Sequence, residues 1–422
     1  MRNALPLVAL FLSTGLVAEP LSIVAPEEVG FSSERLQLVS EFTRRHVDEG
    51  KHVGFVTMIA RHGKIVHFES VGNMGVENNQ PMPKDTLFRI FSMTKPIVSV
   101  AMMMLYEEGR FQLTDRVSKY LPSLGNFGLY KDGETVDAGL EITIEQLLTN
   151  TAGLSDRVDR SNAIYQLYQE SGLLDSHDLD HFIETLSTLP LRYEPGTRYH
   201  YSTEGFDVLG ALVEELSRQT LETFFEARIF APLNMRDTFF SVPDDKLHRF
   251  ADSHIWNREE QRIDLLAEPA RGAMWSFRDV TYFSAGAGLV STAMDYMIFC
   301  EMLRQGGRYD GVRILGPKTV QFMMLNHLTD EVRNNGAHEF PALHLYPGQS
   351  YGLGFGVITN PGISRVISSR GEYHWGGVAD TKFWIDPQED LVVVLMTQLI
   401  LAPTNTRYEM KVATYQALTE LQ

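Results

Sequence analysis

Cysteine is almost absent from this chain of 422 residues, which contains only Cys300. One thiol cannot form an intrachain disulfide, and it argues against thiol catalysis and against a zinc site built from thiolates. Cys300 lies in an apolar run that predicts an inert core thiol. The sequence also lacks a His-Glu-x-x-His motif and a clustered set of carboxylates. We therefore expect no metal and no other cofactor.

Positive charge is scarce as well. The 37 lysines and arginines stand against 54 acidic residues, giving a formal charge of −17. A chain with this charge repels phosphates, so we expect neither a nucleic acid nor an anionic membrane as a partner. A neutral or weakly charged small molecule is the expected partner.

No apolar run is long enough to cross a bilayer. The first one, Ala4 to Val17, follows Arg2 and precedes the small residue Ala18. This pattern is typical of a secretory signal peptide. We therefore predict a signal over residues 1–18 and a periplasmic or secreted location. An N-terminal extension that is retained, on a cytoplasmic protein, is the alternative.

The most informative stretch runs from Leu87 to Gly109. A strand-like run leads into Ser92-Met93-Thr94-Lys95, and a long apolar helix follows. Ser92 and Lys95 are three residues apart, so in a helix they lie on one face within reach of each other. The plain alternative is a capping serine with a solvated lysine. However, the helix is apolar nearly all round, which predicts burial, and a buried lysine in its first turn indicates catalysis.

A serine nucleophile needs a group that accepts its proton. Lys95 can accept it only if burial or other cations lower its pKa, and a tyrosine held as phenolate by ammonium charge can help. Tyr201 lies between a Pro-Gly turn and a predicted helix, at a junction where catalytic side chains often lie. Tyr199 would face the same side and is its main competitor. His200 would face the opposite side and is interpreted as structural.

Acyl transfer also needs two N–H donors aimed at the developing negative charge. The amide of Ser92, at its helix start, can be one of them. The run from Tyr373 to Val378 can supply the other, because the paired glycines Gly376 and Gly377 permit a close backbone approach. The alternative is a glycine-rich turn that leads into an edge strand.

Strand patterns flank a helical middle. Strands are predicted at Gly54–Arg61 and Lys64–Val71, joined at His62-Gly63, and again from residue 287 onward, among them at Arg365–Ser369. Residues 125–141 are polar and Gly-rich, which predicts a surface loop. We therefore predict an α+β fold in which an α/β lobe is built from both chain ends, at about residues 25–105 and 287–422. An all-helical lobe is inserted between them, at about residues 106–286.

Three motifs together resemble those of the serine β-lactamase-like superfamily, in the branch of class C β-lactamases and family VIII carboxylesterases. FSMTK matches its first motif, YST at 201–203 its Tyr-x-Asn or Tyr-Ser-x motif, and WGG at 375–377 the position of Lys-Thr-Gly. The phrases LLTNTAGL and GAGLVST are also similar, and the likeness extends in order over residues 25–420. The resemblance implies a β-lactamase/transpeptidase-like fold for residues 19–422, with an antiparallel sheet flanked by helices.

The resemblance also implies a mechanism. Ser92 attacks an acyl carbon while Lys95 and Tyr201 shuttle its proton, and water then releases the acyl-enzyme. The amides of Ser92 and Val378 would form the oxyanion hole. Five further residues fall at substrate-binding positions, namely Trp375, Gly376, Gly377, Thr203 and Asn150.

Departures from the family pattern bear on the substrate. Trp375 stands where β-lactamases carry the lysine that holds the β-lactam carboxylate, which favours neutral, apolar esters. Thr203 replaces the common Asn, which weakens amide recognition. Asn150 stands where His is frequent and Asp380 where Gly is usual. The Lys318-Thr319 pair lies in a helical run and is not the third motif.

The third motif can be read in two registers. A slip of one residue would place His374, instead of Trp375, on the active-site face, as in the His-x-Gly motif of some peptidases. The distance in sequence to Asp386-Pro387 favours the register with Trp375.

We therefore expect a serine carboxylesterase that acts on short acyl esters, with a small-molecule ester as its partner. The alternatives are a β-lactamase or D-alanyl-D-alanine peptidase, an acyltransferase, and a catalytically silent protein that binds a ligand. The intact motif positions argue against the silent protein. An α/β-hydrolase is disfavoured, because no Gly-x-Ser-x-Gly occurs.

Overall fold

A computed structural model describes residues 21–77, 79–156, 163–267, 277–336 and 345–422. The predicted signal peptide, residues 1–18, lies outside the described residues. Within them, no helix combines the length and the apolar character that crossing a membrane requires.

The strands, in chain order, are β1 (Ser22–Ile23), β2 (Gly54–Arg61), β3 (Lys64–Gly72), β4 (Phe88–Arg89), β5 (Phe127–Lys131), β6 (Glu134–Leu140), β7 (Ser253–Asn257), β8 (Arg262–Ala267), β9 (Val290–Ser291), β10 (Arg308–Tyr309), β11 (Val312–Arg313), β12 (Gln349–Tyr351), β13 (Gly356–Ile358), β14 (Tyr373–Gly376), β15 (Lys382–Asp386), β16 (Leu391–Met396) and β17 (Leu399–Ile400). The α-helices are α1 (Ser33–Asp48), α2 (Thr94–Glu107), α3 (Ile144–Leu148), α4 (Ala163–Glu170), α5 (Leu179–Leu186), α6 (Thr203–Ser217), α7 (Leu221–Phe225), α8 (Ala293–Arg304), α9 (Pro317–Met323), α10 (Asp330–Gly336), α11 (Pro361–Ser364) and α12 (Thr406–Tyr415).

An eight-stranded sheet joins the two ends of the chain, in the order β1-β3-β2-β16-β15-β14-β13-β12. The predicted hairpin β2–β3 is present, and its turn uses His62 and Gly63 at positive φ (55° and 71°), as a tight hairpin turn requires. Strand β16 pairs antiparallel to β2 and thereby connects the C-terminal strands to the N-terminal ones. Both strands are buried along their whole length, in agreement with the continuous apolar sequence of β16 and the largely apolar sequence of β2.

Helices cover both faces of this sheet. On one face, α1 and α12 pack around Trp384 and Val393 in one apolar cluster. On the other face, α2 and α8 belong to the main core. All residues of α2 from Thr94 to Leu105 are buried, as its apolar sequence predicts. The predicted α+β fold is therefore confirmed.

The inserted segment differs from the all-helical prediction in its hairpins. Residues 125–141, expected to form a surface loop, instead contain the β5–β6 hairpin, which turns at Asp132-Gly133 with both residues at positive φ. Asp-Gly is a strong hairpin signal that the polar composition of this segment obscured. Strands β7 and β8 form a second hairpin beside β17. The predicted strand at Arg365–Ser369 is not formed, because Arg365, the residue that follows α11, takes a left-handed conformation.

Gly354 provides a test of how closely the β12–β13 connection packs against α2. Its φ is +88°, and a Cβ there would lie 1.9 Å from the Ser99 hydroxyl oxygen. We expect Gly354→Ala to destabilise the protein by about 2–4 kcal/mol, through backbone strain and overpacking together. Gly133→Ala is the matched control, because Gly133 has φ +93° with nothing within 4 Å of the added carbon. Thermal unfolding that shows equal losses in both variants would contradict the close packing.

Candidate active site

Ser92 lies in a tight turn between β4 and α2. Phe91, Ser92 and Met93 form one 3₁₀ turn, and Phe91 has a φ of +44°, a strained conformation for an aromatic residue. The turn is held at both ends. The Ile90 amide donates to Leu289 O (3.0 Å), and the Tyr296 hydroxyl donates to Met93 O (2.9 Å). Ser92 is consequently half-buried between two buried neighbours.

Lys95 is fully buried, one turn along α2 from Ser92. Its Nζ lies 3.3 Å from Ser92 Oγ, 2.8 Å from Gly286 O and 3.4 Å from Thr203 Oγ1. The same nitrogen lies 4.6 Å from the centroid of the Tyr201 ring. The structure therefore brings Ser92, Lys95, Tyr201 and Thr203 together.

Tyr201, and not Tyr199, reaches the serine. The Tyr201 hydroxyl donates to Ser92 Oγ at 2.6 Å. Tyr199 packs instead against Tyr351, with ring centroids 5.4 Å apart. His200 is buried against Tyr193, in agreement with its structural interpretation.

Burial raises the pKa of the Tyr201 phenol well above its ordinary value. The hydrogen bonds of Tyr201 with Ser92 and Trp375 lower that pKa, and the Asp156 carboxylate raises it. The net rise favours the neutral phenol at rest. Burial thus opposes the phenolate considered from the sequence, and a neutral Tyr201 is suited to donating a proton.

Asn150 holds the segment that carries Tyr201. Its side-chain oxygen accepts from the Ser202 amide (3.0 Å), and its carbonyl accepts from the His200 amide (2.8 Å). Its own φ is +55°, a conformation that Asn tolerates better than most residues. The structure thus places Asn150 behind Tyr201, where it fixes the backbone on both sides of the tyrosine.

Trp375 lies on the active-site face of β14. Its ring centroid is 5.7 Å from that of Tyr201 and 5.1 Å from that of Tyr351. His374 is on the other face, where its Nδ1 lies 3.5 Å from Glu372 Oε1 and burial lowers its pKa to about 4. The structure thus agrees with the register that places Trp375, and not His374, in the site.

The end of β14 approaches the serine turn through its glycines. A Cβ on Gly377 would lie 2.5 Å from Ile90 O, so only glycine fits there. The Gly377 amide donates to Thr381 O (2.8 Å) and closes a short turn. Val378, the predicted oxyanion donor, is the next residue in this turn and is 49% exposed.

Charged residues lie in and beside this turn, and of these only Asp380 was singled out from the sequence. Asp380 takes a φ of +71°, where glycine is favoured, and its carboxylate pairs with Lys382 and accepts from the Thr406 hydroxyl (2.6 Å). Arg407 at the start of α12 lies with Nη2 3.4 Å from the position of a Cβ on Gly376. A cation therefore lies near the third motif, although it comes from a distant part of the sequence.

Three further groups of the site escaped sequence reasoning, namely Gly286, Asp207 and Asp156. Gly286 gives its carbonyl to Lys95 and its amide to Asp207 Oδ1 (2.9 Å), and a Cβ there would lie 2.5 Å from Thr203 Cγ2. Asp156 Oδ2 accepts from the amide (3.0 Å) and the hydroxyl (3.2 Å) of Thr203. Gly286 could not be recognised from the sequence, because it acts through its backbone carbonyl, which every residue has. Asp156 could not be recognised either, because a single aspartate after a glycine-containing turn forms no motif with a characteristic spacing.

Two other features lie apart from the site. Lys318 is on α9 and donates to Gln321 (2.6 Å), as expected for a pair that is not the third motif. Cys300 on α8 is fully buried, and burial raises the pKa of its thiol. Among the described residues, no three His, Cys, Asp or Glu side chains form a group that could hold a metal ion.

The family model described as Beta-lactamase matches residues 39–407. The chain belongs to the β-lactamase family. Protein Rv1367c of Mycobacterium tuberculosis is 33% identical over 364 residues, which are 84% of this chain and 88% of that protein. Esterase EstB of Burkholderia gladioli is 31% identical over 375 residues, which are 86% of this chain and 88% of that protein.

A solved structure shares the architecture. EstCE1, described as a hydrolase with promiscuous acyltransferase activity, superposes with a TM-score of 0.76 at 28% identity, covering 90% of this chain and 99% of the other. The predicted superfamily is thus confirmed. This β-lactamase-family chain is a serine hydrolase.

The two tyrosines allow a matched test of the site. Tyr201→Phe removes the hydroxyl that contacts Ser92, and we expect the rate at which Ser92 reacts with a fluorophosphonate to fall about 10²-fold or more. Tyr199→Phe removes an equally buried hydroxyl two residues away and should leave this rate within a few-fold of the wild type. A large loss in Tyr199→Phe without one in Tyr201→Phe would show that the wrong tyrosine was chosen.

Proposed function

We propose that this protein is a serine carboxylesterase that cleaves short-chain acyl esters through an acyl-enzyme on Ser92. The observation that carries the proposal is the position of Ser92 Oγ, 2.6 Å from the Tyr201 hydroxyl and 3.3 Å from Lys95 Nζ, beside an aromatic third motif. The names of two similar proteins, Esterase EstB and the hydrolase EstCE1, support the same class of reaction.

The geometry suggests how the proton moves. Lys95, as a neutral amine, takes the proton from Ser92 Oγ as the oxygen attacks the ester carbon. The neutral Tyr201 phenol protonates the leaving alcohol, and the Lys95 ammonium, which lies against its ring, restores the phenol. The alcohol thus leaves with the Tyr201 proton, and the serine proton replaces it on Tyr201 by way of Lys95. Water then attacks the acyl-enzyme, with the same proton transfers running in reverse.

The amides of Ser92 and Val378 would hold the oxyanion. The glycines before Val378 support this role, because Gly377 brings the end of β14 against Ile90, two residues before the serine. Trp375 with Tyr201 and Tyr351 gives the site an aromatic wall, which suits an apolar acyl group.

The nucleophile is tested with Ser92→Ala. This variant should lose ester turnover and fluorophosphonate labelling, because it lacks the attacking oxygen, while its thermal unfolding stays close to that of the wild type. Mass spectrometry of the labelled wild-type protein should place the adduct on Ser92. A wild-type protein that carries no adduct would favour the silent ligand-binding alternative.

The reaction class is tested by comparing p-nitrophenyl acetate and butyrate with a chromogenic cephalosporin. We expect kcat/KM to favour the esters, since the third motif has Trp375 in place of the carboxylate-binding lysine of β-lactamases. Preferential turnover of the cephalosporin would instead favour the β-lactamase or peptidase alternative.

The charge preference of the site needs its own comparison, because Arg407 lies close to Gly376. We expect p-nitrophenyl butyrate to react faster than p-nitrophenyl hemisuccinate, which has a carboxylate at the end of a similar acyl chain. A preference for the hemisuccinate that disappears in Arg407→Gln would contradict the neutral-ester proposal and assign the recognition of the anion to Arg407.

A further inference from the structure

Lys95 must present an unshared electron pair to Ser92 if it is to take the serine proton. A neutral lysine has two N–H groups and one lone pair. Ser92 Oγ, Thr203 Oγ1 and Gly286 O are described oxygens within hydrogen-bond reach of Lys95 Nζ, and Gly286 O can only accept. Thr203 Oγ1, at 3.4 Å, can either accept from Lys95 or donate to it. The direction of this one hydrogen bond therefore decides whether the lone pair is left for Ser92.

Asp156 fixes that direction. Its Oδ2 lies 3.2 Å from Thr203 Oγ1 and 3.0 Å from the Thr203 amide nitrogen. A carboxylate only accepts, and Thr203 has a single hydroxyl proton, so this proton is directed to Asp156. The threonine oxygen is then an acceptor towards Lys95. Both Asp156 and Lys95 are fully buried, so solvent does not compete for these bonds.

The backbone holds this arrangement in place. Thr203 is the first residue of α6, and the preceding Ser202 caps the helix by accepting from the Gly205 amide (3.2 Å). The second hydrogen bond of Asp156, to the Thr203 amide, keeps the carboxylate close to the hydroxyl. Gly286, on the opposite side of Lys95, is held through its amide by Asp207. The two acceptors of Lys95 are thus each held in place by a carboxylate.

We propose that Asp156 is a positioning residue that acts through Thr203, keeping the threonine hydroxyl from donating to Lys95 so that the lysine lone pair is directed at Ser92. The proposal rests on the proposed function, since it gives Lys95 the role of proton acceptor. It also accounts for Thr203 in place of the common Asn: the threonine hydroxyl and the Asp156 carboxylate together supply the acceptor for Lys95.

The test compares two changes at Asp156 with opposite hydrogen-bonding properties. Asp156→Leu removes the acceptor, which frees the Thr203 hydroxyl to donate to Lys95, and should slow fluorophosphonate labelling of Ser92 roughly 10²-fold. Asp156→Asn keeps an oxygen acceptor and should lose less than about tenfold. The double variant Asp156→Leu/Thr203→Val also removes the competing donor, so it should label at least about tenfold faster than Asp156→Leu.

Asp295→Leu controls for the loss of a buried carboxylate. Asp295 Oδ2 also accepts from a backbone amide, that of Asp237 (2.7 Å), and from a threonine hydroxyl, that of Thr238 (2.9 Å). This variant should unfold at a lower temperature while labelling at the wild-type rate. Asp156→Ala repeats the test if Asp156→Leu does not fold, and the absence of a native unfolding transition in both would make the role of Asp156 structural and overturn the proposal.

The outcomes separate this proposal from the proposed function. Equal labelling in the wild type and Asp156→Leu, or a double variant no faster than the single one, overturns the role of Asp156 alone. A wild-type protein that labels at Ser92 but hydrolyses no ester overturns the proposed substrate and leaves the labelling test of Asp156 valid. A wild-type protein that does not label overturns both.

Discussion

The burial of Lys95 constrains the rest of the site. A lysine nitrogen removed from water needs hydrogen-bonding partners, because a buried polar group without them costs free energy. Here the oxygens come from three separate parts of the fold, namely the serine turn (Ser92), the start of α6 (Thr203) and the loop before β9 (Gly286). The lysine can be satisfied only when these parts pack together, so the folding of the protein and the assembly of its site are linked.

The close approach of these parts depends on small residues. At Gly286 a side chain would collide with Thr203, and at Gly377 it would collide with Ile90 O. One glycine lets the loop before β9 reach α6, and the other lets the end of β14 reach the serine turn. Substitution at either position would therefore displace a partner of Lys95 or the proposed oxyanion donor without changing a residue that takes part in the chemistry.

The sequence predicted those parts of the site whose side chains carry a spacing or a composition signal. Ser92 and Lys95 share a helix face, Tyr201 follows a turn, and Trp375 precedes paired glycines. Gly286 contributes through its carbonyl, and Asp156 becomes a neighbour of Thr203 only once the fold exists. The same distinction holds for the fold. The buried strands β2 and β16 and the apolar helix α2 were predictable, whereas the β5–β6 hairpin was obscured because β6 is largely exposed and the surrounding segment is polar.

Thr203 links the chemistry of the site to its choice of substrate. An Asn at this position would offer N–H donors to the carbonyl of an amide substrate. The single proton of the Thr203 hydroxyl is already directed to Asp156, and its oxygen faces Lys95. No proton of that side chain is then left for a substrate carbonyl. The hydrogen bonds that orient Lys95 therefore also argue for esters over amides, independently of Trp375, because both hydrogen-bonding functions of Thr203 are used within the protein.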